Sequence, residues 1–374
     1  MKKSAQPLLE KLQLGDLQLK NRVVMASMTR GRATNSGLIP TPLMAEYYGQ
    51  RASAGLILSE GTWVSHKAIG FINVPGIYTK QQTEGWKMVT KAVHEKGGLI
   101  FLQLGHIGSA SHPDHLNGEL PAGPSAIDPQ TQSFTPEGFK ASVTPRELSV
   151  AEIKETVQDY KQAAQNAKDA GFDGVEVHAQ AGMLIPQFLS LATNKRTDEY
   201  GGSIENRARI IFEILDAIEE VWDSSRVAIR FTPVMYTHVG IVTPDEDTIP
   251  IFQYILKKLN DHDLAFLHIV GPSQDLTGTP VEVLQDDYFN HIRHHYKGRL
   301  MANWGFTQET GSAILSDGKA DLVSFGKLFI ANPDLAERFT LGLTLSEPDL
   351  NTYYSGDEKG YTDYPRAKGS AVSA

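Results

Sequence analysis

The segment Asp173-Gly174-Val175-Glu176-Val177-His178 is the most informative part of this sequence. Its alternating apolar residues predict a short β-strand that ends on a histidine. A polar loop rich in glycine follows, and Ser203 lies where its side chain would cap the next helix. A β/α barrel presents catalytic groups at the carboxyl ends of its strands, so His178 is a candidate catalytic residue.

The same succession of a short apolar run and a helical segment extends along the whole chain. Strands are predicted at Arg22–Ala26, Gly55–Glu60, Leu99–Leu104, Asp173–His178, Arg226–Phe231, Leu264–Ile269, Arg299–Ala302 and Asp321–Phe325. Helices are predicted at Pro42–Ser53, Gln81–Lys96, Val150–Ala170, Ser203–Trp222, Asp245–Asp261, Val281–His295, Thr307–Ser316 and Asn332–Leu341. Repeated βα units favour an α/β protein built as a closed (β/α)8 TIM barrel, with an open doubly wound sheet as the alternative.

Two segments add to this repeat. The Leu12–Leu19 run, with Gly15-Asp16 at its centre, predicts an N-terminal β-hairpin. A long excursion after the third strand, about residues 107–148, is rich in Pro, Gly, Ser and His. Excursions of this length usually form lids or binding loops. We expect residues 1–374 to form a single barrel domain that carries this lid-like excursion.

Composition limits the classes of function. The chain is 41% hydrophobic and 21% charged, as in ordinary globular proteins, and no apolar run reaches the ~18 residues of a membrane span. A net charge of −9 argues against nucleic-acid binding through a basic face. The absence of cysteine excludes disulfides and thiolate metal sites and fits a cytoplasmic protein. The histidine-rich run at 291–295 predicts a solvated helix end, so no metal site is expected.

The residues at the carboxyl ends of the predicted strands converge at one end of a barrel. They are Thr29, Gly61, Gln103, His178, Arg230 and the pair Gly326-Lys327, and several of them carry polar side chains. A polar side chain on a buried strand is costly without a partner. A structural hydrogen-bond network would explain any one of them. All of them together favour a planar cofactor with polar edges and a phosphate, held at one end of the barrel.

Four blocks of sequence carry a resemblance to a known family. They are Asn21–Ala26, Pro40–Tyr48, Asn194–Arg207 and Phe329–Leu335. Over nearly its whole length the chain resembles the old yellow enzyme family of FMN-dependent ene-reductases. The resemblance implies a flavoprotein that uses NADPH or NADH to reduce a small-molecule substrate, namely an electron-poor alkene, a quinone or a nitro compound.

The resemblance also assigns the cofactor site. In the family, FMN lies across the barrel mouth, and a guanidinium beside it stabilises the reduced flavin. The positions implied to contact FMN are Ala26, Ser27, Thr29, Gly61, Gln103, His178, Arg230, Asn303, Trp304, Gly305, Gly326 and Lys327. Backbone N–H groups around Asn303–Gly305 and Gly326-Lys327 would hold the phosphate.

The chain departs from the family at the substrate pocket. Ala181 stands where the family has a second hydrogen-bond donor, and Met183 stands where it has the tyrosine that protonates the substrate. Gly105 replaces a tryptophan and is expected to enlarge the pocket, and Phe71 replaces a tyrosine. With Tyr361 from the C-terminal segment, these residues form the implied pocket.

Other departures concern the cofactor. Ser27 replaces a proline, Trp304 replaces a glycine of the phosphate loop and is expected to weaken FMN binding, and Lys327 replaces an arginine. A missing proton donor predicts weaker alkene reduction, with solvent, the excursion or Tyr361 as the source of the proton.

Two alternatives stay open. One is a flavoprotein with altered chemistry, such as an isomerase, a desaturase or a quinone reductase. The other is a barrel that has lost flavin and acts as a binding protein. The sequence leaves open the natural substrate, the choice between NADH and NADPH, and whether the protein is a monomer or a dimer.

Overall fold

The computed structural model of the chain describes residues 6–180, 182–233 and 244–367. In chain order the strands are β1 (Leu12–Leu14), β2 (Leu17–Leu19), β3 (Val23–Met25), β4 (Leu56–Trp63), β5 (Ile100–Gly105), β6 (Ala122–Gly123), β7 (Gln132–Thr135), β8 (Gly138–Ala141), β9 (Arg146–Glu147), β10 (Gly174–Ala179), β11 (Val227–Phe231), β12 (Phe266–Val270), β13 (Leu300–Asn303) and β14 (Leu322–Phe325). Within the described ranges no helix has the length and apolar character to cross a membrane.

Eight of these strands close into a parallel barrel in the order β10-β11-β12-β13-β14-β3-β4-β5. The predicted (β/α)8 barrel is therefore confirmed, and the open doubly wound sheet is excluded. The register pairs His178 with Arg230, Gly61 with Gln103, and Gln103 with Glu176. Polar residues that lie far apart in sequence thus reach the same levels of one barrel.

Helices surround the barrel. They are α1 (Pro42–Gln50), α2 (Lys80–His94), α3 (Val150–Asp169), α4 (Leu184–Leu189), α5 (Ile204–Glu219), α6 (Thr248–Leu259), α7 (Tyr288–His295), α8 (Gln308–Ser316), α9 (Lys327–Ala331) and α10 (Leu335–Leu341). The side chain of Ser203 accepts a hydrogen bond from the backbone N–H of Asn206, so the predicted cap of α5 is present. Two short helices, α4 and α9, were not expected because neither is long enough to show a helical repeat.

The N-terminal hairpin closes one end of the barrel. Strands β1 and β2 pair in antiparallel fashion, as predicted. Their buried leucines pack in one apolar cluster with interior residues of the barrel: Val24, Leu56, Leu58, Phe101, Ala228, Phe266, Met301 and Leu322. Burial of this cluster stabilises the closed amino end. The polar strand ends are therefore left to form the site at the opposite end.

The excursion after β5 carries structure of its own. Strands β6 and β9 pair in parallel, and β7 and β8 form an antiparallel hairpin. Phe134 on β7 forms a β-bridge with Phe71, and their rings lie 5.5 Å apart. The hairpin is thereby attached to the loop that follows β4.

Candidate functional site

His178 and Arg230 lie side by side at the carboxyl ends of β10 and β11. Burial lowers the pKa of His178 to about 3, and the charge of Arg230 acts in the same direction. The imidazole is therefore neutral at neutral pH. Its Nδ1 atom and the Nε atom of Arg230 are buried and have no hydrogen-bond partner among the described residues. Buried polar atoms without partners are uncommon and indicate that a ligand group belongs beside them.

Gln103 lies next to this pair. Its Nε2 donates a hydrogen bond of 2.6 Å to Glu176, and its Oε1 accepts one of 2.6 Å from Ser27. A Cβ atom on Gly61 would lie 3.3 Å from Gln103 Oε1 and 3.8 Å from the His178 ring. Because Gly61 has no side chain, both polar groups keep open space in front of them.

Arg230 connects two further predicted residues. Its Nη1 donates to the backbone carbonyl of Ser27 at 3.4 Å, and its Nη2 donates to Asn303 Oδ1 at 3.5 Å. Both bonds are long and therefore weak. Burial lowers the pKa of Arg230, and the charge of Glu176 opposes this effect. The guanidinium is held in place loosely, with donors left over for a ligand.

The predicted phosphate region lies at the ends of β13 and β14. Gly326 directly precedes α9, and Lys327, the first residue of that helix, is exposed. A Cβ atom on Gly305 would meet no atom within 4 Å among the described residues. Trp304 has a φ angle of +103°, and its side chain is 52% exposed. A tryptophan therefore adopts a backbone conformation that favours glycine.

The other two residues predicted near the cofactor follow β3. Ala26 is buried, and its N–H donates to the carbonyl of Phe325 on β14. Thr29 is half-buried. Both lie on the segment that carries Ser27, which places them on the same side of the barrel as Gln103.

Met183 and Gly105, which are both implied for the substrate pocket, lie next to each other. The methyl group of Met183 lies 3.3 Å from the position of a Cβ atom on Gly105, so Met183 takes part of the space that glycine leaves. Phe71 is half-buried and also lies 6.2 Å from the ring of Tyr354. Ala181 lies outside the described residues.

Tyr361 lies in an aromatic cluster on the α1 side of the barrel. Its ring stacks on Tyr47 at 3.9 Å, and the guanidinium groups of Arg30 and Arg32 lie over it. Burial raises its pKa well above the ordinary value for a phenol. A fully buried phenol is a poor proton donor to a substrate, so the structure gives no support for that role.

Sequence reasoning missed a set of interior polar residues beneath the site. Glu176 Oε1 and His268 Nδ1 are 2.8 Å apart, and His268 Nε2 lies 2.8 Å from Ser324 Oγ. All three side chains are 2% exposed or less. The signal was present in the sequence, because each is a polar residue within a strand that is buried on both sides.

These features fit the cofactor that the resemblance implies. His178 Nδ1 and Arg230 Nε have no hydrogen-bond partner among the described residues, and Gly61 leaves space in front of Gln103 and the His178 ring. The flavin ring is planar and carries acceptors and a donor along its edge, which matches an amide and a guanidinium. Glycine residues at the ends of β13 and β14 leave room for the backbone to approach a phosphate.

Comparison with known proteins agrees with this site. The model of the NADH:flavin oxidoreductase / NADH oxidase family matches residues 7–346. The 12-oxophytodienoate reductase 7 of Oryza sativa subsp. japonica is 41% identical, over 96% of this chain and 94% of that protein. Morphinone reductase in complex with tetrahydroNAD has a TM-score of 0.89 and 45% identity, covering 97% of this chain and 98% of that chain.

A further solved structure, the old yellow enzyme homologue from Zymomonas mobilis, has a TM-score of 0.90 and 40% identity. It covers 96% of this chain and 99% of that chain. Sequence identity and structural similarity at this level extend over the full barrel. Together with the match to the family model, they show that these proteins share a family and not only a fold. The chain belongs to the NADH:flavin oxidoreductase / NADH oxidase family, is an NAD(P)H-dependent oxidoreductase of the old yellow enzyme type, and uses FMN as its cofactor.

Proposed function

We propose that the protein uses NADPH or NADH to reduce an electron-poor small molecule at the barrel mouth, and that His178 binds the substrate oxygen. The observation that carries this proposal is the neutral, buried imidazole of His178 beside the guanidinium of Arg230. A neutral imidazole can donate one hydrogen bond to an oxygen without giving up its proton. Relatives named for the reduction of 12-oxophytodienoate and of morphinone support an organic oxo compound as substrate.

Each residue at the mouth has a proposed task. When bound, FMN would carry the hydride from the nicotinamide coenzyme to the substrate. Gln103 would bind the polar edge of the cofactor, and Arg230 would provide positive charge beside it. The open backbone at Gly305 and the backbone N–H groups at Gly326 and Lys327 would hold the phosphate, with the exposed side chain of Lys327 as a point charge.

The chemistry of the Met183 side chain indicates which oxidants this site would favour. A thioether has no proton to donate, so reduction of an alkene at this site lacks a positioned acid from that residue. Quinone reduction places charge on oxygen atoms, which solvent can protonate. We propose that quinones and nitro compounds are better oxidants for this protein than simple enones.

Anaerobic spectroscopy of the purified protein tests the proposal. The protein should be yellow, release FMN on heating, and lose its flavin absorbance when NADPH or NADH is added. Addition of a quinone should then restore that absorbance faster than addition of cyclohexenone. A colourless protein that takes up no FMN would instead favour the alternative of a binding protein.

We also propose the domain organisation, the absence of a nucleic-acid partner and the cellular location. The described barrel and excursion support a single domain over residues 1–374. The net charge of −9 supports the absence of a nucleic-acid partner. A cytoplasmic location rests on composition alone.

A further inference from the structure

A ring of polar side chains crosses the barrel interior below the proposed flavin site. It runs from Ser27 through Gln103, Glu176, His268, Ser324 and Asn303 to Arg230, and back to the Ser27 carbonyl. Interiors of such barrels are normally filled by branched aliphatic residues. A polar layer in the barrel interior costs folding free energy unless each polar group has a hydrogen-bond partner. Its presence in this barrel therefore needs a physical reason.

Glu176 sets the direction of the hydrogen bonds in this ring. Burial by itself would raise the pKa of the Glu176 carboxyl, but His268, Arg230 and Gln103 hold that pKa below its ordinary value. The carboxylate is therefore ionised and can only accept. Gln103 Nε2 donates to one of its oxygens, so His268 Nδ1 must donate to the other.

His268 and Ser324 connect Glu176 to Asn303. Burial lowers the pKa of His268, so its ring is neutral and Nε2 accepts from the hydroxyl of Ser324. Ser324 Oγ in turn accepts from Asn303 Nδ2 at 2.8 Å. Asn303 Nδ2 also donates to the backbone carbonyl of Ser324 at 3.0 Å, so the orientation of Asn303 does not depend on Glu176. Asn303 Oδ1 is thereby left to face Arg230, and Gln103 keeps one N–H without an acceptor among the described residues.

Glu176 is also the countercharge of Arg230. Among the described residues the guanidinium forms two long hydrogen bonds, one to a carbonyl and one to an amide oxygen. Glu176 is the acidic group whose charge acts on Arg230, and the two lie on neighbouring strands of the barrel. At low effective dielectric such a charge acts over several ångströms.

We propose that Glu176 is a positioning residue of this flavoprotein: its carboxylate orients Gln103 toward the cofactor and limits the positive potential that Arg230 exerts there. This inference rests on the proposed FMN site at the barrel mouth. His268 has a supporting role, because it donates to the second oxygen of Glu176.

Glu176→Gln removes the charge with little change in shape. The amide would present a donor to His268 or to Gln103, so part of the ring must reverse. We expect a more positive midpoint potential of bound FMN, because Arg230 would then stabilise the reduced cofactor without an opposing charge. Weaker FMN binding by the apoprotein should accompany it.

Glu60→Gln is the matched control. Glu60 is also fully buried and accepts from the backbone N–H groups of Arg30 and Gly31, but the ring does not include it. Its loss should lower stability and shift the midpoint potential much less than Glu176→Gln does. A potential unchanged in Glu176→Gln, or shifted equally in both variants, would overturn the role of the Glu176 charge.

Glu176→Asp tests the orientation alone and provides a second test if Glu176→Gln does not fold. It keeps the negative charge but shortens the side chain, so the potential should stay near that of the parent. Loss of the hydrogen bond that orients Gln103 should raise the Kd for FMN roughly two- to tenfold. Parent-like affinity in Glu176→Asp would overturn the orientation role.

Both measurements use the full chain: reconstitution of the apoprotein with FMN, followed by the fluorescence of free flavin, and redox titration of the loaded protein against dyes. A parent protein that binds no FMN would contradict the proposed function itself. A parent that binds FMN, with variants that change neither affinity nor potential, would contradict only the role of Glu176.

Discussion

The methyl group of Met183 lies 3.3 Å from the position that a Cβ atom on Gly105 would occupy. The same Cβ atom would lie 3.9 Å from the Cβ of His178. Met183 therefore compensates for the absent side chain at Gly105 and sits beside the proposed substrate-binding histidine. Gly105 and Met183 both depart from the family pattern, and their proximity makes them a single change in local packing. This change replaces polar aromatic side chains with a flexible thioether.

The first prediction concerns this contact. Gly105→Phe should destabilise the protein by about 1–3 kcal/mol because the ring must displace Met183. In the double variant Gly105→Phe/Met183→Ala, the change in the free energy of unfolding should differ from the sum of the two single changes. We expect a coupling free energy of about 0.5–3 kcal/mol. Urea unfolding of the parent, both single variants and the double variant measures that coupling. Strict additivity would show that the two side chains do not share the space.

The second prediction concerns the missing acid. Met183→Tyr, alone or with Ala181→Asn, should raise cyclohexenone turnover, since a positioned acid is typically worth about 10²–10⁴ in rate. Quinone turnover should change little, because solvent protonates its oxygens. Steady-state rates with both oxidants provide the measurement. If the parent already reduces cyclohexenone as fast as a quinone, another group supplies the proton.

The third prediction concerns His178. His178→Ala should slow reoxidation of the flavin by an enone by about 10²-fold, while reduction by NADPH changes less. His178→Asn, which keeps one donor, should recover part of the rate. Since the pKa of His178 is lowered to about 3, its state should not change between pH 6 and pH 8. Stopped-flow traces in which both half-reactions fall equally would assign His178 to the cofactor alone.

The fourth prediction separates the backbone of Trp304 from its indole. At a φ of +103°, a residue other than glycine carries strain of about 1–3 kcal/mol. Trp304→Gly should relieve this strain and tighten FMN binding. Trp304→Ala, which removes the indole but keeps the strained backbone, should be less stable than Trp304→Gly by about 1 kcal/mol. Equal stability of the two variants, measured by thermal unfolding, would show that the backbone is not strained.

The fifth prediction concerns acid stability. Burial lowers the pKa of His106 from 6.5 to about 3, so the native state keeps it neutral while the unfolded state takes up a proton. Its contribution to stability is present above pH 6.5 and is lost as the pH falls toward 3. His106→Asn keeps an acceptor for the N–H of Gly108 but does not titrate.

Over that window the free energy of unfolding of the parent should fall more steeply than that of His106→Asn, by up to about 1.4 kcal/mol per pH unit. Denaturant unfolding at several pH values measures both slopes. His294→Asn, on the exposed side of α7, controls for the loss of an imidazole. Equal slopes for parent and His106→Asn would mean that His106 is protonated in the native state.

The sequence alone determined the barrel and the placement of its polar strand ends. Hydrophobic periodicity is a local property, so the runs around Val23, Val175 and Val227 were recognisable as strands. The cap at Ser203 and the N-terminal hairpin were recognisable for the same reason, because their partners are a few residues away. The position of His178 at the end of its strand is likewise a local feature, so the sequence identifies this residue by itself.

Contacts between side chains that are distant in sequence became clear only from the folded barrel. Glu176 and His268 are separated by 92 residues, and no local pattern specifies their 2.8 Å contact. The stacking of Tyr361 on Tyr47 joins two segments that are distant in sequence, so no local pattern specifies it. The position of the Met183 methyl group beside Gly105 is likewise a tertiary contact. Such contacts depend on strand register and helix packing, which only the closed barrel establishes.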